Sequence, residues 1–506
     1  MGSSYRLLWR QGVTVVIPVL MIGTLFMQGT NGKNIDKNHS SLQMQNDVIS
    51  ISHIGTQQDS QSNEWDRVFG GSEIDCGRSV RQTTDGGYIV TGYTNYTEMG
   101  TGDIWLIKTD AHGQEQWNKT YGGENGDFGY SVQQTMDGGY IVAGTVNVYC
   151  DMILRSSVGL IKTDQQGNVI WSKKFRGEGF SGGRSVLQAA DKGFIVLGWT
   201  AKNYLSASDV LVIKTDANGT EQWNRTFGGT KYYFAESIDY AADNGYIITG
   251  WTAQGSDSDI WLLKINDNGT EQWNRTFYGS LDEIGCSIQH TNDGGYIIVG
   301  CTNYYGSVLS DALLIKTNAN GIEEWNKTYG GSYNDEGISV RQTTDGGYVF
   351  TGDTTTQKNG SSDLWVVKTD AQGTELWNRS ISSEKGGSGS SIQQTNDGMF
   401  IITGVIVSPS TDNLDVWLVK IADAPEAKKK TAFIIGTLSD LDTDGVFITF
   451  QAQNLWYVQM LPPSIIHYKT GDYITMLQQH AGILRPRAVC GFFKTRIQTK
   501  VVSVTD

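Results

Sequence analysis

One phrase returns seven times along this chain of 506 residues. Its anchor is a tryptophan, at Trp65, Trp117, Trp171, Trp223, Trp273, Trp325 and Trp377, with spacings of 52, 54, 52, 50, 52 and 52 residues. A full unit reads GRSVRQTTDGG (77–87), YIVTGYT (88–94), DIWLIKTD (103–110) and EQWNKTYGG (115–123). The turn aspartate recurs at Asp85, Asp137, Asp191, Asp243, Asp293, Asp345 and Asp397. The lysine of the third run recurs at Lys108, Lys162, Lys214, Lys264, Lys316, Lys368 and Lys420. Each unit thus holds four short runs rich in β-branched and aromatic residues, which suit a pleated sheet. DGG and DxxG supply turns that need positive φ. A four-strand repeat of this length is the signature of a propeller blade, too long for a leucine-rich repeat and without helical period.

The phase of the repeat predicts how the ring closes. The first run is a lone tryptophan strand, Glu64–Phe69, and the last unit stops after its third run, Asp415–Ile421. The N-terminal strand then completes the seventh blade, which removes exposed sheet edges. The expected fold is all-β: a seven-bladed β-propeller over residues 63–423, closed by an N-terminal strand, plus a small C-terminal β domain. The composition agrees. Gly is abundant at 62 but Pro numbers only 6, unlike a disordered low-complexity chain, which is rich in both.

The phrase D-x-x-G-x-x-x-W, as in DAHGQEQW (110–117), resembles the blade motif of quinoprotein-like propellers. The tandem DGGYI…WLIKTD…W units over 64–421 resemble the repeats of bacterial and archaeal cell-surface propeller proteins. Members of that group mostly have no assigned activity, and some carry an endoglucanase-like or lipoprotein label. The resemblance implies a surface propeller and little chemistry. A quinoprotein dehydrogenase would imply a larger ring and adjacent cysteines, which this chain lacks.

The flanks predict export. Arg6 and Arg10 precede an apolar run, Val13–Met27, giving residues 1–30 the character of a signal peptide or a single N-terminal membrane anchor. The run is short of the ~20 residues of a spanning helix. No Cys follows it, which argues against a bacterial lipid anchor. Residues 31–62 read as a flexible linker. Ten N-glycosylation sequons, among them Asn38, Asn95, Asn218 and Asn359, fit a secreted or cell-surface glycoprotein. Several sit in the repeated WN(K/R)T, where Thr is also a good strand residue. Residues 424–430 form a second linker, and 431–506 contain strand-like runs (Thr431–Leu438, Val446–Val458, Tyr473–Leu477, Val489–Ile497). The 53 acidic residues outnumber the 39 basic ones, a net charge of −14 that argues against a nucleic-acid partner. The five Cys contain no CxxC, so no zinc or thioredoxin-like site is signalled.

Residues fixed in every repeat are scaffold, since seven equivalent copies cannot all be one site. This covers the tryptophans, the strand lysines and the aspartates that open third strands (Asp103, Asp209, Asp259, Asp311, Asp363, Asp415). The loops between blades and those between second and third strands vary, and they should share one rim. Variable loops on a rigid scaffold are where ligands bind. The rim candidates are Arg78, Tyr93, Tyr96, Arg184, Trp199, Tyr204, Tyr232, Tyr233, Trp251, Tyr304 and Tyr305, with the acids Asp282, Glu283, Asp335 and Glu336. Aromatic faces stack on sugars and carboxylates accept their hydroxyl protons. Pairing residues symmetrically about the turn sets Arg78 against Tyr93, Arg184 against Trp199, Glu236 against Trp251, Ile338 against Asp353 and Cys286 against Cys301. The first two pairs permit cation–π stacking, and the last a cross-strand disulfide in an oxidising compartment.

Three functions follow, from different classes. The chain reads first as a binding module for an extracellular glycan or protein. The second reading is a glycan-cleaving, endoglucanase-like hydrolase whose paired carboxylates come from Asp282/Glu283 or Asp335/Glu336. The third is a structural surface-layer or adhesion component. No GxSxG elbow supports a serine hydrolase. No cofactor is signalled beyond calcium at DLDTDG, where Asp440, Asp442 and Asp444 match the start of a calcium loop. Position 12 is Gln451 and the flanks look like strands, so an acidic β-turn is the simpler reading.

Overall fold

The computed structural model describes residues 63–423, less the short stretches 98–100, 151–152, 178, 204–205, 255–256, 280–281, 303–308, 356–360 and 409, together with separate strand segments before and after them. Among the described residues there is no helix. The chain divides into two units, Gln61–Asp423 and a second made of Met1–Ser60 with Ala424–Asp506.

The first unit is a seven-bladed propeller. Its seven sheets each have four antiparallel strands in sequential order. Blade 1, for example, runs Ile74–Gln82, Tyr88–Tyr96, Asp103–Thr109 and Glu115–Tyr121. Blade 7 takes Gly387–Gln394, Phe400–Val407 and Leu414–Ile421, and Trp65–Phe69 adds its outer strand, with Trp65 opposite Lys420 and Phe69 opposite Val416. The ring therefore closes through the N-terminal strand.

The core lies between blades. Second and third strands are apolar on both faces, and each apolar cluster draws on two neighbours. Ile89, Ile104 and Leu106 of blade 1 pack with Val132, Tyr140 and Val142 of blade 2. Val80, Tyr88 and Val90 pack with Ile401, Val416 and Leu418 of blade 7. Each such side chain, fully buried, contributes ~1.5–3 kcal/mol.

Two repeated contacts join blade to blade, and a third ties each blade's own turn. The outer-strand tryptophan packs on the aromatic residue opening the next blade's second strand, as Trp117 does on Tyr140 with ring centroids 5.8 Å apart. It also covers the next DxxG turn. Gly113 has φ 74°, and a Cβ there would meet Trp65 at 2.4 Å, so both backbone and space demand glycine. On the first strands, a serine accepts from the next blade's backbone: Ser79 Oγ from Val132 N at 3.4 Å, and Ser391 Oγ from Val80 N at 3.4 Å across the closure. The third contact knits each turn. Asp345 accepts from Gly347 N at 2.9 Å and from the buried Lys368 Nζ at 2.7 Å, and the same ion pair recurs in all seven blades.

In the second unit, Val13–Ile17 pairs antiparallel with Ile434–Asp442, which pairs with Gly445–Gln451. Ser464–Lys469 pairs with Tyr473–Thr475 and Ile497–Thr499. Residues 1–12, 18–62 and 424–433 and much of 452–496 lie outside the described residues, as do residues 489–496 of the expected strand Val489–Ile497.

Candidate functional site

The register departs from the symmetric pairing expected from sequence. Near the turn, Gln82 faces Tyr88, and a β-bulge then inserts one residue between Gly77 and Ser79. The same bulge recurs in every blade. A bulge leaves its extra residue unpaired and re-aims its side chain. The bulge residues are Arg78, Tyr130, Arg184, Glu236, Cys286, Ile338 and Ser390, one per blade.

Most of the expected cross-strand partners are thereby corrected. Tyr93 faces Cys76, Trp199 faces Gly182, Trp251 faces Phe234, Cys301 faces Ile284 and Asp353 faces Glu336. Arg78 still stacks over Tyr93, 5.7 Å from the ring centroid. Arg184 stands instead over Tyr130 of the preceding blade, at 4.5 Å, with Glu236 of the following blade 3.9 Å away. Cys286 and Cys301 carry free thiols, with no disulfide between them. They remain neighbours, and hydrogen bonding of the Cys301 thiol to Cys286, together with burial, raises the Cys301 pKa.

The residues just beyond the bulge form one layer that changes character around the ring. Blades 1 to 4 are aromatic. Tyr93 and Tyr96 meet Phe128 of blade 2 at 5.1 and 5.6 Å between centroids. The missing side chain at Gly182 leaves room for the indole of Trp199, whose Nε1 would lie 2.7 Å from a Cβ there. Phe234 and Trp251 stack at 4.0 Å and 19°. The exposed Tyr232 continues that stack, 6.4 Å from Phe234, while Tyr233 turns edge-on to the buried Trp261.

Blade 6 is acidic. Glu336 and Asp353 are direct cross-strand partners, a relation that sets Cβ atoms ~4.5–5.5 Å apart. Burial and the Asp353 charge push the Glu336 carboxyl up to about 7. Burial, with the Asp335 charge, pushes Asp353 up to about 6. Both charges reach Cys301 in blade 5, so the pair borders the two thiols. Asp353 was legible only as the partner of Ile338. A one-residue bulge hid its pairing with Glu336.

Other acids expected on the rim are structural. Asp335 is buried and accepts from Gly331 N at 2.6 Å. Asp75 is its counterpart in blade 1, accepting from Gly71 N at 2.8 Å and Asn95 N at 3.0 Å. Glu283 is buried, and Asp282 accepts from Ser258 N at 3.0 Å, tying one blade to the next. Tyr204, Tyr304, Tyr305 and Asp444 lie outside the described residues, and Asp440 and Asp442 are described by backbone alone. Among the described residues, no group of three His, Cys, Asp or Glu could hold a metal ion.

No family model matches the chain. No curated protein matches it either. Solved structures do. A PL25 ulvan lyase bound to -[GlcA(1-4)Rha3S]- is 9 % identical, with 71 % of this chain and 96 % of that chain covered and a TM-score of 0.48. The periplasmic gluconolactonase of Pseudomonas aeruginosa is 12 % identical, with 61 % and 85 % covered and a TM-score of 0.41. A glucose dehydrogenase is 9 % identical, with 71 % and 100 % covered and a TM-score of 0.35. At such identities and scores the similarity carries no information about substrate or activity.

Proposed function

We propose that this propeller is a secreted or surface-anchored module that binds an extracellular glycan where the bulged first strands meet the variable rim. The observation that carries this reading is the half-ring of aromatic side chains from Tyr93 to Trp251. It shares one layer of the ring with the Glu336–Asp353 carboxylates of blade 6, on a scaffold whose other rim is seven-fold uniform. Aromatic faces offer stacking surface to the C–H faces of a sugar, and partly protonated carboxyls both donate and accept hydrogen bonds. The phrasing of the repeats, which resembles that of cell-surface propellers, and the N-terminal basic and apolar run support an extracellular setting.

The test is a broad glycan array probed with the full chain, with calcium and with chelator. Selective binding that Trp199→Ala and Trp251→Ala each reduce at least tenfold supports the reading. A blank array under both conditions overturns it, in favour of a protein partner or a structural surface role.

A second reading has its own observation. Two adjacent carboxyls with pKa values raised to about 7 and about 6 are the equipment of general acid catalysis near neutral pH. In a glycan-cleaving enzyme Glu336 would donate the proton and Asp353 would act as base or nucleophile. Glu336→Gln would then abolish turnover while binding persists. Binding without any product from the wild-type chain removes this reading and leaves the first.

A further inference from the structure

The first strands carry a second polar layer that neither reading uses. Three residues past each bulge stand Arg81, Gln133, Leu187, Asp239, Gln289, Arg341 and Gln393, one per blade. Its glutamines and its aspartate obey one rule: the side-chain oxygen accepts from the next blade's backbone. Gln133 Oε1 accepts from Gln188 N at 3.2 Å, Gln289 Oε1 from Gln342 N at 2.6 Å and Gln393 Oε1 from Gln82 N at 2.8 Å. Asp239 Oδ2 accepts from His290 N at 2.9 Å. With one bond to each oxygen from the next blade, the three glutamines also hold amide N–H groups that, among the described residues, meet no protein acceptor.

The two arginines complete the layer. Each donates Nη1 to the carbonyl of the residue before it, Arg81 to Val80 at 2.8 Å and Arg341 to Val340 at 2.6 Å. Among the described residues neither forms an ion pair. Arg81 belongs to blade 1, Arg341 to blade 6 and Asp239 to blade 4, yet both arginines feel the Asp239 charge and Arg81 feels that of Arg341. The first strands of neighbouring blades contact one another around the whole ring, so residues at this one position share a level about its axis. Burial, reinforced by Arg341, pulls Arg81 down to about 9, a large fall for a guanidinium.

This level of the ring thus carries two cations, one carboxylate and three glutamines, all half-buried. Buried charge is stable when paired and hydrogen-bonded, and here one positive charge is left over. A chain of net charge −14 thus holds an excess of cations at this level, an arrangement that attracts anions. We propose that the collar of Arg81, Arg341 and the glutamine amides binds an anionic group, either a small free oxyanion or the acidic substituent of a larger ligand entering the channel. Charge-assisted donors converging from several blades suit an oxyanion, with the guanidinium forks supplying paired N–H groups.

The proposal stands apart from the glycan reading: a blank array leaves anion binding untouched. The full chain is titrated at fixed ionic strength with sodium sulfate, with sodium glucuronate and with glucose as a neutral control, reading calorimetry and Tm. Saturable binding of sulfate or glucuronate is expected, and none of glucose. Arg81→Gln and Arg341→Gln each weaken it roughly tenfold or more. Arg81→Gln also raises the Tm in the absence of the anion, because it removes the repulsion from Arg341, and so reports a folded protein. Asp239→Asn keeps the oxygen for His290 N, removes the competing charge and strengthens binding several-fold. Sulfate binding alone assigns a free oxyanion, whereas glucuronate binding that the same variants weaken assigns the end of a larger ligand. The proposal is overturned by an absence of saturable binding of either anion, or by binding that both arginine variants leave unchanged.

Discussion

The two ends of the propeller are built from the same seven blades and differ in what each repeat is free to change. At the uniform end, every DGG turn places an aspartate on a buried lysine, and the tryptophans seal the DxxG turns. At the other end the bulge leaves one residue per blade without a strand partner, and that position runs through Arg, Tyr, Arg, Glu, Cys, Ile and Ser. A residue whose side chain serves the interface between blades is held constant by packing. A residue turned out by a bulge answers to no ladder partner and meets only other variable residues, as Arg184 meets Tyr130 and Glu236. The difference teaches where to look for function in a repeat protein: at the variable member of an otherwise invariant geometry.

The largest effect that can break this comparison is truncation of a seal. Trp117→Ala should cost about 2–3 kcal/mol, less than the ~3–5 of a fully buried aromatic because Trp117 is half-buried. Trp199→Ala, beside the bulge, should cost under about 1 kcal/mol. Urea unfolding of both variants decides it, and equal losses would erase the division of labour. Next comes the turn ion pair. Asp345→Asn strands a lysine that is 1 % exposed and should cost roughly 1–3 kcal/mol, whereas Lys368→Met removes the charge with similar volume and should cost less.

The two ends should also respond to pH with opposite sign. Asp293 and Asp345 are held down to about 2, burial opposing and the lysine and turn hydrogen bonds prevailing. Their contribution is full above the unfolded carboxylate value of ~3.9 and disappears as the pH falls towards 2. Glu336 and Asp353, raised to about 7 and about 6, bind protons in the folded state that the unfolded chain has released. They therefore lower stability as the pH rises from about 4 to about 7. Glu336→Gln should recover about 1–2 kcal/mol at pH 8 and nothing at pH 4, a figure reduced for solvent in the half-buried site. Thermal unfolding across pH 2–8 reads both limbs.

The smallest effect concerns the thiols. Cys286 is half-buried while Cys76 and Cys301 are buried, so in the native protein Cys286 should label first, and the other two only on unfolding. Labelling of Cys286 and Cys301 only after reduction would restore the disulfide that the symmetric register suggested.

The repeat spacing, the four strands per unit, the seven blades and the closing strand Trp65–Phe69 were all readable from sequence, because each depends on local pattern and its phase. So was the scaffold role of the lysines, although their partner, the turn aspartate, was assigned only to the turn. The rim candidates were less legible. Asp335 and Glu283 look like exposed loop acids beside Gly and Asn, yet their carboxylates lie buried. The pairing of Glu336 with Asp353 and the approach of Arg184 to Tyr130 follow from a bulge that no turn signal announces.

By itself the sequence determined the architecture, since hydrophobic period, turn chemistry and repeat phase act within one unit and recur unchanged. Only the tertiary structure decided which side chains meet. One inserted residue per strand shifts every partner beyond it. Arg81, Arg341 and Asp239, some 100 to 260 residues apart in sequence, come to one level of the ring only when seven blades close on one axis.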